Sequence, residues 1–249
     1  MTLHRFCVPD CHAGAIVPLP LDIAHHVRHV LRLRAGARVQ LFDGRGHAYD
    51  ATLESVTRTS VVTRVGAAVA PTPESPLHIT LAFAPLAADL TSLVVQKSVE
   101  LGVSGLRPML TARTEPAGRA MFSPERIERL QRIAAAATAQ CGRAYVPDVH
   151  PLSFDELLAP AGEGPRLLCC ERSVAKPFPR LPTPPSRVLL AIGPAGGWED
   201  AEIERAAAAG FALVALGPRI LRAETAALAA ISAVQLMWGD LAASPWEEV

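Results

Sequence analysis

The chain has 249 residues, half of them hydrophobic, and its 24 basic and 24 acidic side chains leave no net charge. That length and apolar content suffice for one or two fully packed domains, and no apolar run is long enough to span a bilayer. The opening Met1-Thr2-Leu3-His4-Arg5-Phe6 lacks the apolar segment of a signal peptide. Five irregularly spaced cysteines do not suggest a disulfide framework, so a reducing cytoplasm is the expected setting. Charge is uneven along the chain: residues 1–72 hold eight arginines against five acidic residues and six of the eight histidines, and the remainder is mildly acidic. A small basic module on an acidic body is compatible with nucleic-acid contact, though an excess of three falls well short of a basic footprint and chance scatter also yields it.

Residues 1–72 read as mostly β. One short helix is expected over Ile23 to Leu31. Val39-Gln40-Leu41-Phe42 and Ala48 to Leu53 flank Asp43-Gly44-Arg45-Gly46, a hairpin signal because glycine supplies the positive φ of a tight turn. Ser60 to Val65 adds a further strand, and the whole reads as a small barrel. Pro71-Thr72-Pro73-Glu74-Ser75-Pro76 is a linker, since three prolines in six residues exclude helix and central strand.

From residue 77 to 249 the pattern becomes strand–helix alternation, the mark of an α/β sheet. His78 to Phe83 is its first strand. A helix from about Ala88 to Leu101 carries Leu90, Leu93, Val94 and Leu101 as its apolar face, with Lys97 placed to pair with Glu100. Ser123-Pro124-Glu125 starts a helix with a cap, a first-turn proline and an acid at the positive dipole end. Ile127, Leu130, Ile133 or Ala134, and Ala137 form its buried stripe, Arg126, Arg129 and Arg132 lie outside, and Gln140-Cys141-Gly142-Arg143 ends it. Arg166 to Cys170 is a buried strand, and five prolines between Pro177 and Pro185 make an irregular loop.

Val188 to Ile192 is a strand that breaks into Gly193-Pro194-Ala195-Gly196-Gly197. A helix follows over Asp200 to Ala209, then a strand over Phe211 to Leu216 that also breaks, at Gly217-Pro218. Arg219-Ile220-Leu221-Arg222-Ala223-Glu224-Thr225 leads into an Ala-rich helix ending near Trp238. Two Gly-Pro loops at strand ends bring bare backbone to the carboxyl edge of a parallel sheet, where open α/β folds bind small ligands. No Gly-Lys-Ser, Gly-Lys-Thr or Gly-x-Gly-x-x-Gly occurs, which argues against kinase, ATPase and standard NAD roles. His4-x-x-Cys7-x-x-x-Cys11-His12 has zinc-compatible residue types but not the spacing of a usual knuckle, and no metal is expected.

Ile192-Gly193-Pro194-x-Gly196-Gly197, followed by Leu216-Gly217-Pro218-Arg219-Ile220-Leu221-Arg222-x-Glu224-Thr225, resembles the knotted SPOUT methyltransferases and, within them, the RsmE family. His29-Val30-Leu31-Arg32, Leu41-Phe42-Asp43-Gly44, Gln96 to Val103 and Gln140-Cys141-Gly142-Arg143 resemble the same family in the same order, so the likeness spans nearly the whole chain. The resemblance implies a PUA-like RNA-binding barrel over residues 1–72 and a SPOUT domain with a trefoil knot over 77–249. A knot is an exception to the general rule against threading that residue patterns alone would not predict. It further implies a homodimer that uses S-adenosylmethionine to methylate N3 of one uridine in 16S rRNA of the small ribosomal subunit. The Gln140 to Arg143 corner would lie near the site.

On that resemblance the cofactor pocket maps to Leu168 and Cys169, to Gly193, Pro194, Gly196 and Gly197, and to Leu216, Gly217, Ile220, Leu221 and Thr225. Glycine matters there because a Cβ would block close approach of a ligand to the chain. Arg222 is the candidate for stabilising negative charge developing on the uracil, and Glu224 the candidate base, or simply an acid at the helix dipole. Arg5, Arg28, Arg32, Arg34, Arg45 and Arg219 are candidate phosphate contacts. The chain departs from the family at Ala195 and Ala139, where glutamate is usual, at Ala223, where threonine is common, and at Glu199, which replaces a small polar cap and leaves Asp200 as an alternative. Two other readings stay open: a SPOUT enzyme for another RNA position, and a non-catalytic RNA-binding assembly factor.

Overall fold

The computed structural model describes residues 3–160, 162–172 and 174–242, so the first two and last seven residues of the expected domains lie outside the described residues. The chain divides into two compact units, one of Met1–Glu74 with Ala135–Val146, the other of Ser75–Ala134 with Pro147–Val249.

The smaller unit contains β1 (Arg5–Cys7), β2 (Ile16–Pro18), α1 (Leu21–His25), a π-helical turn (His26–Val30), β3 (Arg38–Phe42), β4 (Ala48–Val56) and β5 (Val61–Val69). Its sheet runs β1-β3-β4-β5-β2, with β1 parallel to β3 and every other pairing antiparallel. Among the described residues β1 and β2 do not pair with each other, so the expected barrel is a five-stranded sheet that its backbone ladder leaves open. The hairpin forms where expected, pairing Phe42 with Ala48. Its turn needs Gly44 and Gly46 at φ 78° and 109°, and the Asp43 carboxylate accepts the N–H groups of Arg45 at 2.7 Å and His47 at 3.1 Å. Val27, Val39, Leu41, Leu53, Val61 and Val65 fill the core beneath the sheet.

Residues 135–146 join this unit through specific bonds. Val146 N–H donates to Gly44 O at 3.0 Å and Gly46 N–H to Ala144 O at 3.1 Å. Arg143, 5% exposed, grips the Glu74 carboxylate through Nε and a terminal nitrogen at 2.5–3.1 Å. A buried charge requires such a partner.

The larger unit alternates β6 (His78–Phe83), α2 (Ala88–Glu100), β7 (Gly105–Leu110), α3 (Pro116–Arg119), α4 (Pro124–Cys141), β8 (Asp148–Val149), β9 (Leu152–Ser153), α5 (Phe154–Leu158), β10 (Arg166–Cys169), β11 (Arg187–Ile192), α6 (Asp200–Ala208), β12 (Ala212–Val214) and α7 (Ala223–Trp238). The end of α4 beyond Ala134 belongs to the smaller unit. Strand order is β12-β10-β11-β6-β7-β8, parallel throughout, with β9 also on β7. Apolar, branched β6, β10 and β11 occupy the middle, as strands buried on both faces must.

Three expectations change. The strand over Phe211 to Leu216 shortens to Ala212–Val214, because Phe211 N–H closes the preceding helix on Ala206 O and Ala215 N–H turns to Lys176 O. α2 buries Thr91, Val94, Val95, Ser98 and Val99, a stripe at helical spacing, whereas Leu93 is 37% exposed. Glu199, not Asp200, stands at the N-cap of α6. The Lys97–Glu100 ion pair forms at 2.8 Å. No described helix is long and apolar enough to cross a membrane.

Candidate active site

β12, β10 and β11 are neighbours and run the same way, so their carboxyl ends deliver three loops to one edge of the sheet. These are residues 170–172 with 174–177, 193–199 and 215–222, and the last two lead into the N-termini of α6 and α7. The edge therefore combines irregular backbone with two positive dipole ends.

The first two loops are bound together. Trp198, 2% exposed, donates its indole N–H to Cys169 O at 2.9 Å. A Cβ on Gly193 would stand 2.8 Å from that indole nitrogen, so a glycine is needed there to seat the tryptophan. Gly197 adopts φ 72°, closing a turn on Pro194 O at 2.9 Å, and a Cβ there would meet the Glu171 carboxylate at 3.1 Å. The third loop is different. Gly217 has φ 94° with open space where its Cβ would be. No backbone N–H from Leu216 to Leu221 donates to another backbone group among the described residues.

A small cleft opens between Cys170 and Glu171 on one side and Leu216, Gly217, Leu221 and Ala226 on the other. Burial pushes the Cys169 thiol up to about 12 and raises that of Cys170, so both stay neutral and make an apolar stretch of the wall beside Glu171. Open backbone donors beside an apolar wall fit a ligand with a heteroaromatic ring and polar ends. A roomier cavity of about 310 Å³, lined in part by His78, Arg107, Leu157 and Arg187, lies where β6 and β11 begin. It shares no residue with the three loops, and ligands of parallel sheets collect at the other ends of the strands.

Of the residues singled out in the sequence, Cys169, Leu216, Gly217, Arg219 and Leu221 line the cleft. Leu168 is fully buried in the core beneath it, and Pro194 is buried within its own loop. Ile220 is 84% exposed, and Thr225 is exposed in the first turn of α7. Arg222 is exposed at the N-cap of α7, with Glu224 half-buried two residues on. The side chains of Arg219, Arg222 and Glu224 have no hydrogen-bond or ion-pair partner among the described residues, so all three are free for chemistry.

A fourth loop, after β7, joins them, and residue order does not announce it. There Ala112 N–H donates to the Glu202 carboxylate at 2.8 Å, and Glu199 N–H donates to the same carboxylate at 3.0 Å. Next to it Arg113 reaches Gly196 O at 3.3 Å and the Glu199 carboxylate at 3.8 Å. Arg172 pairs with Asp200 at 3.0 Å. The only signal was the strand before this loop, and Gly105 and Pro108 disguise it.

In the smaller unit the candidate arginines divide. Arg5 is engaged by Gln40 at 2.5 Å and lies 5.2 Å over the Phe42 ring, and burial lowers its pKa. Arg28 donates to the carbonyls of Ala24 and Arg58. Arg32, Arg34 and Arg45 are exposed, with no side-chain partner among the described residues. No group of three or more His, Cys, Asp or Glu among those residues could hold a metal ion.

A family profile described as an RNA methyltransferase domain matches residues 73–235, and one described as an RNA methyltransferase PUA domain matches residues 19–65. The chain is 33% identical, over 95% of its length and 78% of the relative's, to ribosomal RNA small subunit methyltransferase E of Synechocystis. To the Bacillus subtilis protein of that name it is 30% identical over 87% of its length and 90% of the relative's. Among solved structures, ribosomal RNA small subunit methyltransferase E from Neisseria gonorrhoeae bound to S-adenosyl methionine superposes with a TM-score of 0.87 at 35% identity, covering 96% of this chain and all of that one. A Legionella pneumophila methyltransferase in complex with bound SAM gives a TM-score of 0.89 at 33% identity, covering 97% and 100%.

Proposed function

The chain belongs to the ribosomal RNA small subunit methyltransferase E family, and we propose that it methylates N3 of one uridine in 16S rRNA, using S-adenosylmethionine. The observation that carries this reading is the third loop: free backbone donors from Leu216 to Leu221 stand beside Arg219, Arg222 and Glu224, none of which is spent on the fold.

The cofactor, when bound, supplies a methyl group on a sulfonium sulfur. The protein's own task is to hold and orient. Gly217 leaves room for close approach, the N–H groups of Leu216, Gly217, Arg219, Ile220 and Leu221 offer donors, and Cys169 and Cys170 keep water from one wall. Uracil N3 bears a weakly acidic imide proton that must leave for the nitrogen to attack. Glu224 accepts that proton, and Arg222 stabilises the charge spreading onto the uracil oxygens. Arg219 holds a neighbouring phosphate.

The residues over 1–72 act as a PUA-like RNA-binding domain and those over 77–249 as a SPOUT domain whose C-terminal segment forms a trefoil knot. The enzyme works as a homodimer in the cytoplasm. Supporting the dimer, α7 presents Leu236 at 59% and Met237 at 40% exposure, apolar surface that a second copy would cover. Transfer of labelled methyl from S-adenosylmethionine to small ribosomal subunits lacking the modification tests the reading. Incorporation into 16S rRNA supports it. Cofactor binding without incorporation would favour a non-catalytic assembly factor, and absence of cofactor binding would overturn the enzymatic reading.

A further inference from the structure

The helix of the smaller unit ends in an unusual way. After α1 it widens into the π-helical turn His26–Val30, with Leu31 N–H donating to His26 O at 3.0 Å and Leu33 N–H reaching back to Val27 O at 3.0 Å. π-turns are rare and concentrate at functional positions. Between the two leucines sits Arg32 at φ 53°, the one non-glycine residue with positive φ among those described. Helices commonly end with a left-handed residue at this place, and it is usually glycine.

Packing accounts for the backbone but not for the side chain. Leu31 and Leu33 both lie against the core that includes Val27, and a left-handed residue between them turns both inward. Glycine would do so without the Cβ conflict that arginine suffers. Arginine therefore stands here for what its exposed guanidinium does. Beside it the His25 and His29 rings lie 4.6 Å apart, both exposed, and Val30 is 61% exposed. Residues 25–34 hold three histidines and three arginines and no acid. The acid nearest in sequence is Asp22 on α1. Arg28 is tied to carbonyls, whereas Arg32 and Arg34 are free among the described residues.

We infer that this turn is a nucleotide platform for single-stranded RNA. One unpaired base stacks on the His25–His29 imidazoles and the Val30 side chain, and Arg32 and Arg34 hold the adjoining phosphates. Resting on the reading that the substrate is RNA, the assignment names a substrate-positioning contact in the smaller unit.

The test combines Arg32→Gly, Arg32→Lys and the double variant His25→Ala/His29→Ala in the full chain. Binding of a labelled uridine dodecamer is followed against salt, and methyl transfer to small subunits gives KM and kcat. Arg32→Gly should melt a few degrees higher through relief of the left-handed strain. It should also bind the dodecamer about threefold to tenfold more weakly, with a salt slope lower by about 0.7, the loss of one single-strand phosphate contact. KM for subunits should rise while kcat at saturation and cofactor affinity stay unchanged. Arg32→Lys keeps the strain and should keep the slope. The histidine pair should lose roughly tenfold in affinity with the slope unchanged, as stacking loss predicts. A more stable Arg32→Gly protein with unaltered dodecamer affinity and KM would overturn the platform. If the parent protein transfers no methyl group but Arg32→Gly still loses dodecamer binding, the proposed function fails and the platform stands.

Discussion

Glu202 offers the sharpest test of how the site is assembled. Its carboxylate, 7% exposed, accepts Ala112 N–H at 2.8 Å and Glu199 N–H at 3.0 Å, joining the loop after β7 to the start of α6. Glu202→Ala strands two backbone donors. A buried unsatisfied donor costs about 1–3 kcal/mol, and because Ala112 and Glu199 are both exposed residues, water can satisfy each N–H in part, leaving roughly 0.5–1 kcal/mol apiece. The lost favourable charge in the first turn of α6 adds roughly 0.5 kcal/mol. The sum is about 1.5–2.5 kcal/mol, or a fall in melting temperature of roughly 3–10 °C at about 2–4 °C per kcal/mol for a chain of this size. Glu202→Gln keeps one carbonyl acceptor and should lose about half as much. Urea unfolding and calorimetry read the stability. Calorimetric titration reads cofactor affinity, which should weaken as Arg113 loses its hold on Gly196. A Glu202→Ala protein melting within 2 °C of the parent would refute the claim that this carboxylate pins the two loops.

Three further perturbations probe separate parts of the account. Gly193→Ala places a Cβ 2.8 Å from the Trp198 indole nitrogen and should destabilise by about 1–3 kcal/mol, with a changed near-ultraviolet circular dichroism spectrum as the ring shifts. Burial pushes the Asp43 carboxyl up, but bonds from the Arg45 and His47 N–H groups and the His47 ring outweigh it and hold the pKa below 3.8. A depressed carboxylate stabilises the fold above its unfolded value and loses that contribution as pH falls through the folded one. Asp43→Asn should therefore cost about 1–2 kcal/mol at pH 7, shrinking toward zero as pH drops below 3.8 in denaturation curves. Arg222→Ala should lower kcat by about 10²–10³ with cofactor affinity unchanged. An equal loss in cofactor affinity would make Arg222 a binding residue instead.

Much of this molecule is legible from residue order, because its strongest signals are local. The Asp43-Gly44-Arg45-Gly46 hairpin, the Ser123-Pro124 helix start and the two Gly-Pro loops each depend on a few adjacent residues, and each forms where expected. What escaped depends on distant partners. β7 begins at Gly105 and contains Pro108, which breaks its pattern, so the loop carrying Arg113 had no strand to announce it. Residues 135–146 enter the smaller unit through bonds to Gly44, Gly46 and Glu74 that no periodicity encodes. Residue order also does not show that a Cβ on Gly193 would meet Trp198, five residues on. In residue order Arg32 is one candidate phosphate contact among several. Only its backbone angle sets it apart.

The most direct test of the central claim is to identify the methylated nucleotide. Small subunits carrying unmodified 16S rRNA are incubated with the protein and S-adenosylmethionine, the RNA is digested with nuclease, and the fragments are analysed by mass spectrometry. The account predicts a single new 3-methyluridine in 16S rRNA. Methylation at another atom or nucleotide, or none from a protein that binds the cofactor, would contradict it.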